Sequence, residues 1–179
     1  PSWGRWYRCI DASALRGSAL MAGPNNDSLL VLDRVGQGRV ALFSTCYVNR
    51  NEPHIGEDLV AVFEHNGIPV TLAERERCCG MPKLELGNLD AVAEMKKVNI
   101  PQLIRLIDLG WDVVAPVPSC VLMFKQELPL MFPDDPEVAR VARYIFDPFE
   151  YLWLRHREGR LKTDFKQPLG KVAWHVPCH

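Results

Sequence analysis

From Gly38 onward the chain alternates short apolar runs with longer segments in which apolar residues return every three or four positions. Residues 39–44, Arg39-Val40-Ala41-Leu42-Phe43-Ser44, form the first run and have the length and composition of a buried strand. A helix is expected from about Gly56 to His65, because Leu59, Val60, Val62 and Phe63 share helical spacing and Asn66-Gly67 supplies a stop. Residues 68–72 predict a second strand. The stretch from about Leu89 to Leu109 is amphipathic, with Val92, Met95, Val98, Leu103, Leu106 and Ile107 on its inner face, and Pro101 is expected to kink or divide it. Gly110 ends that helix, and residues 111–117 predict a third strand. Residues 121–157 read as helical with a break at 132–136, a polar linker covers 158–168, and residues 171–176 predict a further strand. Before Gly38 the pattern is irregular. Turn residues cluster at 23–27 and 36–38, and Trp3, Trp6 and Tyr7 either cover one end of the domain or anchor an arm on a partner.

Strands that alternate with helices imply a parallel sheet, and right-handed crossovers bring the C-terminal end of every strand to the same edge. The expected fold is therefore α/β, a Rossmann-like three-layer domain. Cys46 follows the first strand, Cys78 and Cys79 the second, and Cys120 the third. Ligands of such sheets bind at that edge, so the topology gathers four widely spaced thiols into one place.

Composition narrows what they are for. The chain has 179 residues, six of them cysteine, and a formal net charge of -1. That length suits one domain with a core, and that charge offers no electrostatic case for a nucleic-acid partner. There is neither a signal peptide nor an apolar run long enough to cross a bilayer, so a cytoplasmic place, or one on the inner face of a membrane through partner subunits, is expected. In that setting cysteines serve metal binding or redox chemistry rather than a disulfide framework. Pro1 in place of an initiator Met, and an end at His179 directly after Cys178, make the chain read as a fragment of a longer protein.

Cys78-Cys79-Gly80 is the centre of the pattern. An extended strand would send neighbouring side chains to opposite faces, whereas a tight turn at Gly80 directs two sulfurs toward one point. Four thiolates hold either a 4Fe-4S cluster or a structural zinc ion. The compact zinc pattern of paired Cys-x-x-Cys knuckles is missing, since 31 residues separate Cys46 from Cys78 and 40 separate Cys79 from Cys120.

Cys46, then Cys78-Cys79-Gly80, then Ser119-Cys120 resembles the cysteine-rich CCG domain found in heterodisulfide reductase and in the iron-sulfur subunits of anaerobic glycerol-3-phosphate dehydrogenase and glycolate oxidase. The likeness covers about residues 39–125, and its overall character is nearest the Fe-S oxidoreductases that are like the iron-sulfur subunit of anaerobic glycerol-3-phosphate dehydrogenase. Residues 174–179, with Cys178, resemble the opening of a second such repeat, which gives an expected division into an N-terminal arm (1–38), a first CCG domain with a helical extension (39–168) and the start of a truncated second repeat (169–179). The resemblance implies an electron-transfer subunit of an oxidoreductase. It would ligate a 4Fe-4S cluster through Cys46, Cys78, Cys79 and Cys120, with Cys178 in a second, truncated site. Electrons would pass between a dehydrogenase or ferredoxin-type module and a quinone or disulfide acceptor. The family's fullest pattern ends in Cys-x-x-Cys, and here Met123 occupies the last position, where a thioether is a poor substitute for thiolate. For that reason the disulfide chemistry is not carried over. The competing reading is a zinc-stabilised or metal-free interaction module with a degenerate site.

Other residues near the motif have simpler uses. His175 and His179 flank Cys178 and are expected to shape its neighbourhood, His54 to start a helix, and Cys9 to be an ordinary thiol. Arg75, Arg77 and Lys83 surround the vicinal pair and would lower thiol pKa values; without a cluster the same thiols would make a redox site. The aromatic and basic stretch 149–157 is expected to pack on the sheet and leave its arginines in water, the other use being a membrane surface or a membrane subunit.

Overall fold

The computed structural model describes residues 38–73, 76–168 and 170–173. The arm at 1–37, Arg75, and the segment carrying His175, Cys178 and His179 lie outside these residues, as do Cys9, Trp3, Trp6 and Tyr7. Among the described residues four strands form one all-parallel sheet: β1 (Val40–Leu42), β2 (Val70–Leu72), β3 (Asp112–Val114) and β4 (Ile145–Phe146), in the order β2-β1-β3-β4. Val40 pairs with Val70 on one side and Asp112 on the other, and Val113 pairs with Ile145.

Alternation along the buried strands builds two cores. Val40, Leu42, Val114 and Phe146 face Leu59, Val62 and Phe63 of α2 (Pro53–His65) and Tyr151, Leu152 and Leu154 of α8 (Pro148–Arg157). Phe43, Val113, Ala115 and Ile145 face the opposite way, onto Val92, Ile100, Leu103 and Ile107 of α4 (Leu89–Asp108) and Val138 and Val141 of α7 (Pro136–Tyr144). The result is the expected three-layer α/β arrangement. The aromatic helix α8 packs on the sheet, with Tyr151 at T-shaped geometry to Phe63 and Phe146. Its Arg155 is buried rather than solvated.

Three local expectations are corrected. The fourth strand is Ile145–Phe146, inside the stretch read as helical; residues 171–173 are not a strand, and 174–176 lie outside the described residues. Two residues are too short for a periodic signal, and Asp147 then starts α8 through a capping box with Glu150. Pro101 does not divide α4, which runs unbroken from Leu89 to Asp108. Pro101 sits on the exposed face while Asn99, Ile100 and Leu103 are buried, so burial outweighs the lost hydrogen bond. The polar segment after α8 is also docked. Lys162 donates its backbone N–H to the Asn66 side chain (2.8 Å) and its ammonium to the His65 carbonyl (2.7 Å), and His65 meets Asp164 at 2.9 Å.

The strand order fixes where a site belongs. From β1 the chain passes by α2 to β2 on one side, then by α4 across to β3 on the other, so its winding reverses between β1 and β3. At such a switch point the loops leaving the two strands diverge and open a crevice at their carboxyl ends.

Candidate metal centre

Cys46, Cys78, Cys79 and Cys120 all occupy that edge, and all four are free thiols. Cys46 opens α1 (Cys46–Arg50) just beyond β1, and Cys78 and Cys79 end the loop from β2. Cys120 lies in α5 (Pro118–Leu122) after β3. The sulfurs of Cys46 and Cys78 are 3.8 Å apart. Cys120 hydrogen-bonds to Cys79. Cys46 is exposed and Cys78 half-buried, while Cys79 and Cys120 are each 4% exposed, so one edge of the group reaches solvent.

The vicinal pair is turned by Gly80, whose φ of 104° lies in the left-handed region and which starts α3 (Met81–Glu85). Its amide points at Cys78 and that of Met81 at Cys79. Cys79 is the thiol whose ionisation its surroundings favour. The hydrogen bond from Cys120 brings it down to about 7 against the opposing effect of burial, with further help from the Met81 amide. Burial pushes Cys78 up to about 11, partly offset by the Gly80 amide, and the negative charges of Cys79 and Cys46 push the same way as burial. Cys120 is also raised, first by the bond to Cys79 and then by burial. The leading causes of Cys79's shift are thus a thiol and a backbone amide, not the expected cations Arg77 and Lys83.

The loops are held by residues that the sequence pattern did not single out. Thr45, just before Cys46, has φ 67° and ψ 157°, a conformation that is essentially reserved for glycine. It is 1% exposed, and its hydroxyl accepts the Val48 N–H (3.2 Å) to cap α1. Glu76 reaches across from the second loop. Its carboxylate accepts the Ser44 N–H at 2.9 Å, the Ser44 hydroxyl, and the Thr45 N–H. Burial raises the Glu76 pKa, and these hydrogen bonds oppose the rise. From α4, the buried Asn99 accepts the Arg77 N–H (2.8 Å) and donates to the carbonyls of Arg77 (3.2 Å) and Cys78 (3.1 Å). Asn99 was detectable: it lies seven residues after Val92 and four before Leu103, a polar residue on an apolar face.

Met123 is fully buried, and its Cε would lie 3.6 Å from a Cβ placed on Gly80, so its terminal methyl lies beside the glycine that turns the vicinal pair. It begins a π-helical turn (Met123–Glu127) that leads into α6 (Leu128–Met131). Pro129 explains the widening, because its ring lacks an N–H and crowds the carbonyl four residues back. His54 lies in the first turn of α2, exposed and 3.3 Å from Glu52. Among the described residues no three His, Cys, Asp or Glu side chains are disposed around one point as a single metal ion would need. A four-iron cluster places each thiolate on its own iron, and an all-thiol set with amides aimed at sulfur suits that chemistry.

Residues 40–125 match the family model for the cysteine-rich domain designated CCG. The chain is 31% identical over 142 residues to a subunit of the anaerobic glycerol-3-phosphate dehydrogenase of Escherichia coli (strain K12), the one designated C, covering 79% of this chain and 35% of that protein. It is 33% identical over 143 residues to lactate utilization protein A of Bacillus cereus (strain G9842) and 34% identical to its counterpart in Bacillus thuringiensis (strain Al Hakam), each match covering 79% of this chain and 57% of the relative. The chain thus spans about a third of the first relative and somewhat over half of the other two. No solved structure matches significantly.

Proposed function

We propose an electron-transfer role for this chain, which belongs through residues 40–125 to the CCG cysteine-rich domain family. It is read as the iron-sulfur part of a larger oxidoreductase. Cys46, Cys78, Cys79 and Cys120 are the proposed ligands of one 4Fe-4S cluster, and the observation that carries this is their meeting at the switch point of the sheet. When bound there, the cluster supplies one-electron relay. The chain's own residues do the rest. The Gly80 and Met81 amides offset negative charge on sulfur, burial of Cys79 and Cys120 limits water, and exposed Cys46 leaves one edge open to a partner.

The redox partners are proposed from the names of the relatives, one of which is part of a dehydrogenase. A dehydrogenase or ferredoxin-type module would deliver electrons, and a quinone or disulfide acceptor would take them. No helix among the described residues is long and apolar enough to cross a membrane, and a membrane surface would be reached through partner subunits. The test is anaerobic purification followed by iron and sulfide analysis and EPR. About four irons and four sulfides per chain, with a reducible signal lost in Cys79→Ser, are expected. One tightly held zinc, or no metal after reconstitution, would overturn the reading in favour of a zinc-stabilised or metal-free interaction module.

A further inference from the structure

We propose that Glu76 and Asn99 are positioning residues, which hold the Cys46 loop and the Cys78-Cys79 loop beside each other at the centre. This role serves the same thiols as the proposed cluster and rests on that reading for its purpose, but its contacts are present without any metal. Cys46 and Cys78 belong to loops leaving different strands, and their sulfurs are nevertheless at van der Waals distance, 3.8 Å. The sheet alone does not set that distance. Register between β1 and β2 ends at Leu42 and Leu72, four and six residues before the two cysteines.

Two side chains bridge the gap. Glu76 joins the loops directly, since it stands two residues before Cys78 and binds Ser44 and Thr45, the two residues before Cys46. It also holds Thr45 in a backbone conformation that a threonine does not adopt unless its surroundings fix it. Asn99 fixes the second loop from behind. It satisfies both backbone groups of Arg77 and the carbonyl of Cys78, and thereby ties the loop to α4, which is itself packed on the sheet. These three hydrogen bonds between one buried side chain and a partly buried loop give the loop a specific reason to stay where Asn99 puts it.

Proximity of the two thiols is measurable without iron. In the reduced, metal-free protein under anaerobic conditions, oxidised glutathione accepts two electrons from Cys46 and Cys78. One protein S–S bond forms, the glutathione disulfide breaks, and the two thiol protons pass to the two glutathione thiols released. The equilibrium constant, read after acid quench, alkylation and mass mapping of the Cys46–Cys78 peptide, is a ruler for loop separation. Glu76→Ala and Asn99→Ala are each expected to lower it tenfold or more, about 30 mV. Glu76→Gln should restore it, because an amide accepts from the Ser44 N–H and donates to its hydroxyl. Arg160→Ala, which breaks an exposed pair with Glu158, should leave it unchanged.

If Glu76→Ala does not fold, Ser44→Ala weakens the same contact from the other side and should give a smaller fall. After anaerobic reconstitution, the variants that lower the constant should also lower iron content and shift the EPR g-values, whereas Glu76→Gln should match the parent. Unchanged constants in folded Glu76→Ala and Asn99→Ala would overturn the proposal. A fall that Gln fails to rescue would overturn it for Glu76. If the parent takes up no iron but the constants fall and are rescued as described, the positioning role stands and the cluster reading is the one that fails.

Discussion

Replacing Gly80 by alanine separates backbone conformation from space at the vicinal cysteines. At φ 104° and ψ -11°, an L-residue carries a strain of about 1–3 kcal/mol. Space adds little, since an added Cβ would meet Met123 Cε and Val92 Cγ1 at 3.6 Å, ordinary contact. Alanine also reduces the freedom of the unfolded chain, which returns about 0.4–1 kcal/mol. The net loss should be about 1–2 kcal/mol, or about 0.5–1 M in the urea midpoint for a slope of about 2 kcal/mol/M. Equilibrium urea unfolding of the reduced, metal-free protein measures it. Gly87→Ala is the matched control, with φ 70° and open space around its Cβ, and should lose a similar amount. A loss above about 3 kcal/mol would place the cause in the Met123 and Val92 contacts, and a loss near zero would mean that the left-handed turn is not required.

The core and α8 give two further tests. Leu103→Ala, at a side chain with no exposed surface on the inner face of α4, should cost about 2–5 kcal/mol in thermal or chemical unfolding. Asp147 caps α8 by accepting the N–H of Phe149 (2.8 Å) and Glu150 (3.4 Å), while burial raises its pKa. A raised carboxyl pKa means that ionisation opposes folding, so this penalty is present at neutral pH and vanishes as pH falls below the unfolded carboxylate range. Asparagine caps as well as aspartate. Asp147→Asn should therefore equal or exceed the parent in stability at pH 7, with the difference closing as pH falls below ~4, where the carboxyl is protonated in both folded and unfolded chains; a variant clearly less stable at pH 7 would contradict the sign.

What the sequence revealed depended on the range of the interaction. β1, β2 and β3 were legible because each is an apolar run bounded by turn residues, and their alternation with helices was enough to place Cys46, Cys78, Cys79 and Cys120 on one edge. β4 was hidden because Ile145–Phe146 joins the sheet through pairing with β3 rather than through a pattern of its own. The turn at Cys78-Cys79-Gly80 was legible from glycine chemistry. The strain at Thr45 was not, because a threonine with positive φ has no local signature; it is held by Glu76, 31 positions away. Arg77 and Lys83 were expected to tune the thiols by charge, yet Cys79 is brought down first by the hydrogen bond from Cys120 and Cys78 is pushed up first by burial, with the Met81 and Gly80 amides acting after them, and all of these are set by how the fold brings the loops together.

The energetic balance at the first loop explains why so unusual a backbone persists there. Thr45 stores about 1–3 kcal/mol. Its own cap on α1 contributes about 1 kcal/mol, which does not reliably exceed the strain. The three hydrogen bonds from Ser44 and Thr45 to the Glu76 side chain contribute about 0.5–1.5 kcal/mol each even without the carboxylate's charge, so with the cap they do. The strained loop is therefore stable only while the loop that carries Cys78 and Cys79 is in place to supply Glu76. The second loop depends in turn on Asn99, and Asn99 on the packing of α4. Cys46 is thereby coupled to the position of a helix on the inner face of the sheet, and a substitution anywhere along this chain of contacts should register first as a change in the distance between Cys46 and Cys78.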